Sequence, residues 1–208
     1  MNNMTTNILS TLNKNELEFL FRDGQQRFYA KDTLIIDAGD SGSSAYIIVS
    51  GKVKIFLDDV HGRKIVLSIL KAGEYFGEMA LIDQQIRSAK AITMEDTVLT
   101  EISKSVFREC LHAYPEVSER IMVGLVARLR EATKKISNLA LLSVHERVAN
   151  MLRSQAREQD GMLVVEDKLT HQQIANNVGA SREMVTRILK KMKIDGLIRI
   201  EGKKITLL

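Results

Sequence analysis

Three residues in one short stretch have the chemistry to hold a phosphodiester. Glu78 sits in the run Gly77-Glu78-Met79-Ala80-Leu81, and Arg87 and Ser88 follow shortly after it. A guanidinium offers a planar fork of N–H donors, and a neighbouring hydroxyl adds another, a pairing suited to two exocyclic phosphate oxygens. The Glu78 carboxylate accepts, as a ribose hydroxyl would require. A glycine leading into a short helix leaves backbone amides open to an anion. Taken alone, the same residues also describe a surface loop with one ion pair.

A second set lies near the C-terminus. Thr170-His171-Gln172-Gln173 has the form of a capping box, and Ser181 offers a further N-cap. Between them the pattern predicts a short helix, His171–Val178, with Ile174, Ala175 and Val178 inward, and then Gly179, where a tight turn needs a permissive backbone. After Ser181 it predicts a helix over Arg182–Asp195, with Val185, Ile188, Leu189 and Met192 inward. Two short helices joined at a glycine make a helix-turn-helix, whose second helix presents its first residues to base edges. Those residues are Arg182, Glu183 and, one turn on, Arg187. Arginine pairs bidentately with guanine, and a carboxylate accepts from cytosine N4. Leu197–Ile200 and Lys203–Thr206 are expected to form a hairpin wing. A small helical domain with a charged face is the plainer alternative.

The elements that must position these two sets differ in period. Candidate strands are Gln26–Lys31, Thr33–Asp37, Ala45–Ser50, Lys52–Asp58, Lys64–Leu70, Ser88–Thr93 and Thr97–Ser103. Gly39, Gly51, Gly62 and Gly73 punctuate them at hairpin spacing, with a tip at His61-Gly62, as in a sandwich or barrel. Ser103 then caps a predicted helix, Lys104–His112. Pro115 starts a long one to about Leu142, with a seam at Val117, Ile121, Leu125, Leu129, Ala132, Ile136 and Leu139. That seam suits a homodimer, or packing on the chain's own domain. Ser143-Val144-His145-Glu146 is another capping box, opening a helix over Val144–Arg157 and leaving Leu141–Ser143 as a hinge. A polar turn at Glu158–Gly161 and a strand at Met162–Val165 are expected next.

Charge follows the same division. Residues 144–208 hold 12 Lys and Arg against 8 Asp and Glu, which is the whole of the chain's formal +4. A polyanion partner or a solvated basic face would each account for it. Composition bounds the rest. With 208 residues and 45% hydrophobic content the chain suits one or two globular domains. No apolar run reaches spanning length, and the first twenty residues lack a basic start with an apolar stretch. A cytoplasmic protein without a membrane partner is expected. Cys110, the single cysteine, has no intramolecular disulfide partner and excludes a cysteine-rich zinc or iron–sulfur site. His61, His112, His145 and His171 are scattered, so no haem or metal ligation is expected. No spacing supplies a nucleophile with a base, so an enzyme is not expected.

The stretch LTHQQIANNVGASREMVTRILKKMKIDGLI strongly resembles the DNA-binding domain of the catabolite-activator, or cyclic-AMP-receptor, family of bacterial regulators. GEYFGEMALIDQQIRSAKAIT resembles the phosphate-binding cassette of cyclic-nucleotide-binding domains. The resemblance covers nearly the whole chain. It implies an α+β architecture: a β jelly-roll sensor over residues 1–114, a dimerisation helix over 115–142, and a winged helix-turn-helix over 143–208. It implies that Gly77, Glu78, Met79, Ala80, Arg87 and Ser88 meet ribose and phosphate, that Arg128 pairs with Glu78, and that Thr133 reaches the base. Ala132 stands where that family presents a second hydroxyl. On the DNA side it implies Arg182, Glu183 and Arg187 as readers of a TGTGA-like half-site. Thr170, His171, Ser181, Lys190 and Lys203 would lie against the backbone, with His171, Met184 and Glu201 departing from the usual phosphate ligands. The expected effector is a cyclic nucleotide, cyclic AMP first, with cyclic GMP, cyclic di-GMP or a vestigial pocket as alternatives. The expected partners are double-stranded DNA, a second copy of the chain, and RNA polymerase in an activator's role.

Overall fold

A computed structural model describes residues 15–16, 19, 24–159, 161–166, 169–202 and 204–208. It divides into two compact units. One is the chain to Leu57 with Val66–Glu131; the other is Asp58–Ile65 with Ala132–Leu208.

The N-terminal strands are β1 (Gln25–Tyr29), β2 (Leu34–Ile36), β3 (Ser44–Ser50), β4 (Lys52–Asp58), β5 (Lys64–Lys71), β6 (Tyr75–Phe76), β7 (Lys90–Thr93) and β8 (Thr97–Ser103). They form two sheets, ordered β1-β8-β3-β6 and β2-β7-β4-β5, so most neighbours are not consecutive in sequence. Pairing is antiparallel in both. Such a sandwich buries one face of a strand, which is why β7 alternates in exposure, whereas β1 has no fully buried residue. Ile36, Ile48, Val53, Leu70, Phe76, Ala91 and Leu99 fill the core contributed by both sheets.

A second layer covers the other face of β3 and β8. There Ala45, Ile47 and Ile102 meet Phe107 and Cys110 of α2 (Lys104–Ala113) and Val117 and Ile121 of α3 (Pro115–Leu141). Ser103 caps α2 by accepting from the Val106 amide, as its sequence predicts. Burial pushes the Cys110 thiol up to about 11, so this cysteine is an inert packing residue. Between β6 and β7 lies the single-turn α1 (Met79–Ile82).

The second unit holds α4 (Val144–Gln155), β9 (Arg157–Gln159), β10 (Met162–Val165), α5 (His171–Val178), α6 (Arg182–Ile194), β11 (Ile198–Glu201) and β12 (Lys204–Leu207). Its sheet runs β11-β12-β10-β9. Val148, Leu152, Ile174, Ala175, Val178, Val185, Ile188, Leu189 and Met192 form its core. Both capping boxes, Ser143 with Glu146 and Thr170 with Gln173, are complete. Ser143 holds the Glu146 carboxyl below its ordinary range by hydrogen bonding to it.

Several expectations needed correcting. The polar turn read at Glu158–Gly161 begins late, because Arg157–Gln159 pairs with β10 as an edge strand, and α4 stops at Gln155 in consequence. The short β6 was missed, since two residues carry no period. Ser88 and Ala89 precede β7 instead of belonging to it. The dimer seam also changes. Val117 and Ile121 are buried in the sensor's own core and Leu125 packs against it, whereas Leu129 and Ile136 are each 67% exposed. The exposed stripe of α3 is Met122, Val126, Leu129, Thr133, Ile136 and Ala140, spaced 4-3-4-3-4. Most of the N-terminal segment read for a leader lies outside the described residues, as does Lys203.

Candidate functional site

Arg87 is only 8% exposed. Its own amide donates to the Asp40 carbonyl at 2.8 Å and its carbonyl accepts from the Gly39 amide at 2.9 Å, which seats it beside the Asp40 loop. The side chain then donates from Nη1 to the Gly77 carbonyl at 2.7 Å and from Nη2 to the Ser44 carbonyl at 2.6 Å. Among the described residues Arg87 makes no ion pair. Burial lowers its pKa, offset by Tyr46, Glu78, Asp40 and Glu101 nearby. A buried guanidinium held by neutral carbonyls carries charge that no contacting anion cancels, and it retains N–H donors for one.

The surroundings are built to leave that guanidinium approachable. A side chain at Gly42 would place its Cβ 2.4 Å from Ala80 Cβ and 3.2 Å from Arg87 Cζ and Nε. Gly77 has φ +82°, and a Cβ there would lie 2.8 Å from Arg87 Nη1 and 3.3 Å from the Ser44 carbonyl oxygen. Both glycines therefore leave space beside the Arg87 head that a side chain at either position would fill. Gly77→Ala should combine left-handed strain, of order 1–2 kcal/mol, with displacement of Arg87. We expect nucleotide affinity to fall at least tenfold in a titration while the thermal midpoint drops modestly. Unchanged affinity would show that Gly77 is merely a turn residue.

Glu78 is 1% exposed and accepts from Arg128 Nη1 at 2.6 Å through Oε1. Arg128, on α3, also donates to the Tyr75 carbonyl and lies over the Tyr75 ring, 4.5 Å from its centroid. Tyr75 in turn donates to the Ile121 carbonyl, and burial pushes its phenol up to about 12. Thus α3 is tied to the cassette by an ion pair, a carbonyl and an aromatic face together. Glu78 Oε2 has no hydrogen bond to Arg128 and remains an acceptor.

The sequence-predicted set therefore assembles around Gly77, Glu78, Ala80, Arg87 and Arg128. Ala80 is buried, while Met79 is 49% exposed and Ser88 is exposed. Thr133 follows Arg128 by five residues on α3 and shares the face of the exposed stripe instead of Arg128's. Gly42, Ser44 and Tyr75 were missed. The small-residue run Asp40-Ser41-Gly42-Ser43-Ser44 was the available signal for the first two.

In the second unit Arg182, Glu183 and Arg187 are all exposed and, with Thr186, line one recess on α6. Ser181 caps α6 by accepting from the Met184 amide at 3.2 Å. Gly179 takes the left-handed φ of +63° that turns α5 into α6. Thr170, Ser181 and Lys190 are exposed and His171 is half-buried. Arg147 of α4 donates to the Val178 carbonyl at 2.9 Å and to the Leu142 carbonyl at 2.8 Å, fastening the end of α5 to the segment after α3.

One unit thus sets a buried guanidinium in a β-sandwich, and the other is a winged helix-turn-helix whose α6 exposes Arg182 and Arg187. Residues 26–114 match the model of the cyclic nucleotide-binding domain, and residues 146–208 match that of the Crp-like helix-turn-helix domain. The cAMP-activated global transcriptional regulator Vfr of Pseudomonas aeruginosa is 35% identical over 86% of each chain. The chain belongs to the CRP/FNR family of transcription regulators. Another CRP/FNR relative, the cAMP-activated global transcriptional regulator CRP of Haemophilus influenzae, is 34% identical over 90% of this chain and 85% of its own. Among solved CRP/FNR structures, the c-di-GMP responsive global regulator CLP of Xanthomonas campestris superposes with a TM-score of 0.83 at 30% identity, covering 94% of this chain and 99% of that one. The chain is thus a cyclic-nucleotide-binding, DNA-binding transcription regulator of a family that is not one of enzymes. No helix among the described residues is long and apolar enough to cross a membrane.

Proposed function

We propose that this CRP/FNR protein is a homodimeric activator gated by cyclic AMP, binding a palindromic operator with TGTGA-like half-sites and engaging RNA polymerase there. Residues 1–114 would form the sensor, 115–142 the dimer helix and 143–208 the reading head. The observation that carries the gating is Arg87, a buried guanidinium with two carbonyl partners and, among the described residues, no ion pair. A cyclic phosphate supplies the missing anion. Arg87 holds its exocyclic oxygens, Ser88 adds a hydroxyl, and Gly77, Met79 and Ala80 line the approach. Glu78 Oε2 accepts from the ribose hydroxyl while Oε1 stays on Arg128. Thr133 contributes to the base contact. Because Arg128 belongs to α3, a ligand that draws on Glu78 acts on the helix that carries the exposed apolar stripe.

A second effector, cyclic di-GMP, has support of its own. CLP, which is responsive to it, shares 30% identity across almost the whole chain, and Ala132 offers the base no hydroxyl. Calorimetric titration with cyclic AMP, cyclic GMP and cyclic di-GMP separates these effectors. Tighter binding of either alternative reverses the order, and no heat with any of the three leaves a constitutive DNA binder.

On DNA, Arg182, Glu183 and Arg187 would read base edges, while Thr170, His171, Ser181, Lys190 and Lys203 would lie against phosphates. Each bidentate base contact discriminates by about 1–3 kcal/mol. Glu183→Ala should relax preference at one symmetric base pair of a selected operator, with little loss of total affinity because a negative charge also leaves the interface. Selection from a random duplex pool checks this: a motif without a TGTGA-like core, or one unchanged by Glu183→Ala, rejects the assignment.

A further inference from the structure

His171 opens α5, and its Nδ1 lies 2.8 Å from Thr186 Oγ1 on α6. The Thr186 hydroxyl hydrogen is already committed, since Oγ1 donates to the Arg182 carbonyl one turn earlier at 2.9 Å. Oγ1 is therefore the acceptor in the contact with His171, and the ring hydrogen of the neutral imidazole sits on Nδ1. Nε2 is left as a bare lone pair. A phosphate oxygen is also an acceptor only, so the neutral ring has nothing to offer it. Protonation adds an N–H at Nε2 without disturbing the Thr186 bond, and makes the ring a cation. The two states thus differ at the free edge alone.

Thr186 lines the same recess as Arg182, Glu183 and Arg187, which places the imidazole beside the reading surface. Arg182, Glu183 and Arg187 are charged groups on the turns of α6 around Thr186, and the exposed Lys190 follows one turn beyond it. No other side chain of α5 ionises. From α4, Arg147 reaches α5 at its far end, on the Val178 carbonyl.

We infer that His171 is a proton-gated phosphate ligand, so that DNA binding takes up protons and tightens as the pH falls through the imidazole range. This rests on the reading above that the His171 edge of the helix-turn-helix faces the DNA backbone. A phosphate at Nε2 favours the protonated ring, so the complex holds a proton that the free protein gives up as the pH rises. The gain is present at acid pH and lost at alkaline pH, because the bound form keeps its proton to higher pH than the free form. A charge-assisted hydrogen bond of this kind is worth roughly tenfold in affinity per protomer, or about a hundredfold for a dimer. The contact touches no base, so it acts alike on any duplex.

The test is fluorescence anisotropy of the full chain with saturating cyclic AMP, from pH 5.5 to 8.5 at fixed ionic strength. Operator duplex and a scrambled duplex of equal length are titrated with wild type, His171→Asn and His171→Arg. Wild type should bind both duplexes about a hundredfold more tightly at pH 5.5 than at pH 8.5. Its log–log salt slope should steepen by about two units at the acid end. His171→Asn should be flat and weak, and His171→Arg flat and tight, with thermal midpoints near wild type. A wild-type profile retained in His171→Asn, or a pH effect confined to the operator, overturns the inference. Intact operator binding with a flat wild-type profile overturns the proton gating alone. Failure to bind either duplex at any pH overturns the DNA reading and this inference with it.

Discussion

Replacing Arg87 with alanine should remove cyclic-nucleotide binding almost completely and also cost the sensor some stability. From the sequence, a residue in a polar loop would be expected to bury little and to leave folding intact. The structure overturns that expectation, because Arg87 is buried and its guanidinium satisfies the carbonyls of Gly77 and Ser44. Without it those acceptors lose their partners at about 1–3 kcal/mol each where water cannot replace them. Ligand binding suffers more. A phosphate brought into the cradle would be desolvated without its cation, a loss of about 3–5 kcal/mol. That is between a hundredfold and several thousandfold in affinity. Calorimetry should show no heat for Arg87→Ala at ligand concentrations that saturate wild type, and the ligand-induced rise in thermal midpoint should vanish. Arg87→Lys separates the two roles. Its ammonium keeps the charge but has three donors on one nitrogen, so it cannot hold two carbonyls and a phosphate fork together. Intermediate affinity is expected. If Arg87→Ala titrates like wild type, the cassette is not the ligand site.

How much of this was legible in the sequence depends on whether a neighbour in the chain or in space does the work. The caps were legible because a cap is local: Ser103, Ser143, Thr170 and Ser181 each accept from an amide three residues on. The inward faces of α5 and α6 were legible because a 3.6-residue period has one outcome when a single core covers it. The first half of the α3 seam misled for the same reason in reverse. Val117, Ile121 and Leu125 carry helical spacing, but spacing does not say whether the covering surface is the chain's own sheet or another molecule. Only the burial of Val117 and Ile121 against Ala45, Ile47 and Ile102 decides it. The cradle was half legible. Glu78 and Arg87 stand out by type, but Ser44 acts through a backbone carbonyl and Gly42 through an absent side chain, and neither leaves a chemical signature in its residue name.

The exposed half of α3 carries the other large effect. Leu129→Lys with Ile136→Lys should convert a dimer into a monomer without unfolding either unit. Both residues are 67% exposed, so neither supports the core formed by Val117 and Ile121. Their stripe, Met122, Val126, Leu129, Thr133, Ile136 and Ala140, has the alternating 4-3 spacing that keeps one face of a helix on a partner helix. Burying a leucine or isoleucine contributes about 1.5–3 kcal/mol, and a two-fold interface counts each residue twice. The four lost side chains therefore remove roughly 6–12 kcal/mol, before any cost of burying lysines. Sedimentation at micromolar concentration should show wild type as a dimer and the variant as a monomer with unchanged far-ultraviolet circular dichroism. Operator affinity should fall by roughly 10²–10⁴, because the second half-site contact ceases to be intramolecular. Leu125→Lys is the contrasting variant. Leu125 packs against the sensor core, so it should lower the thermal midpoint instead. A wild-type monomer, or a double variant that remains dimeric, would reject α3 as the dimer seam.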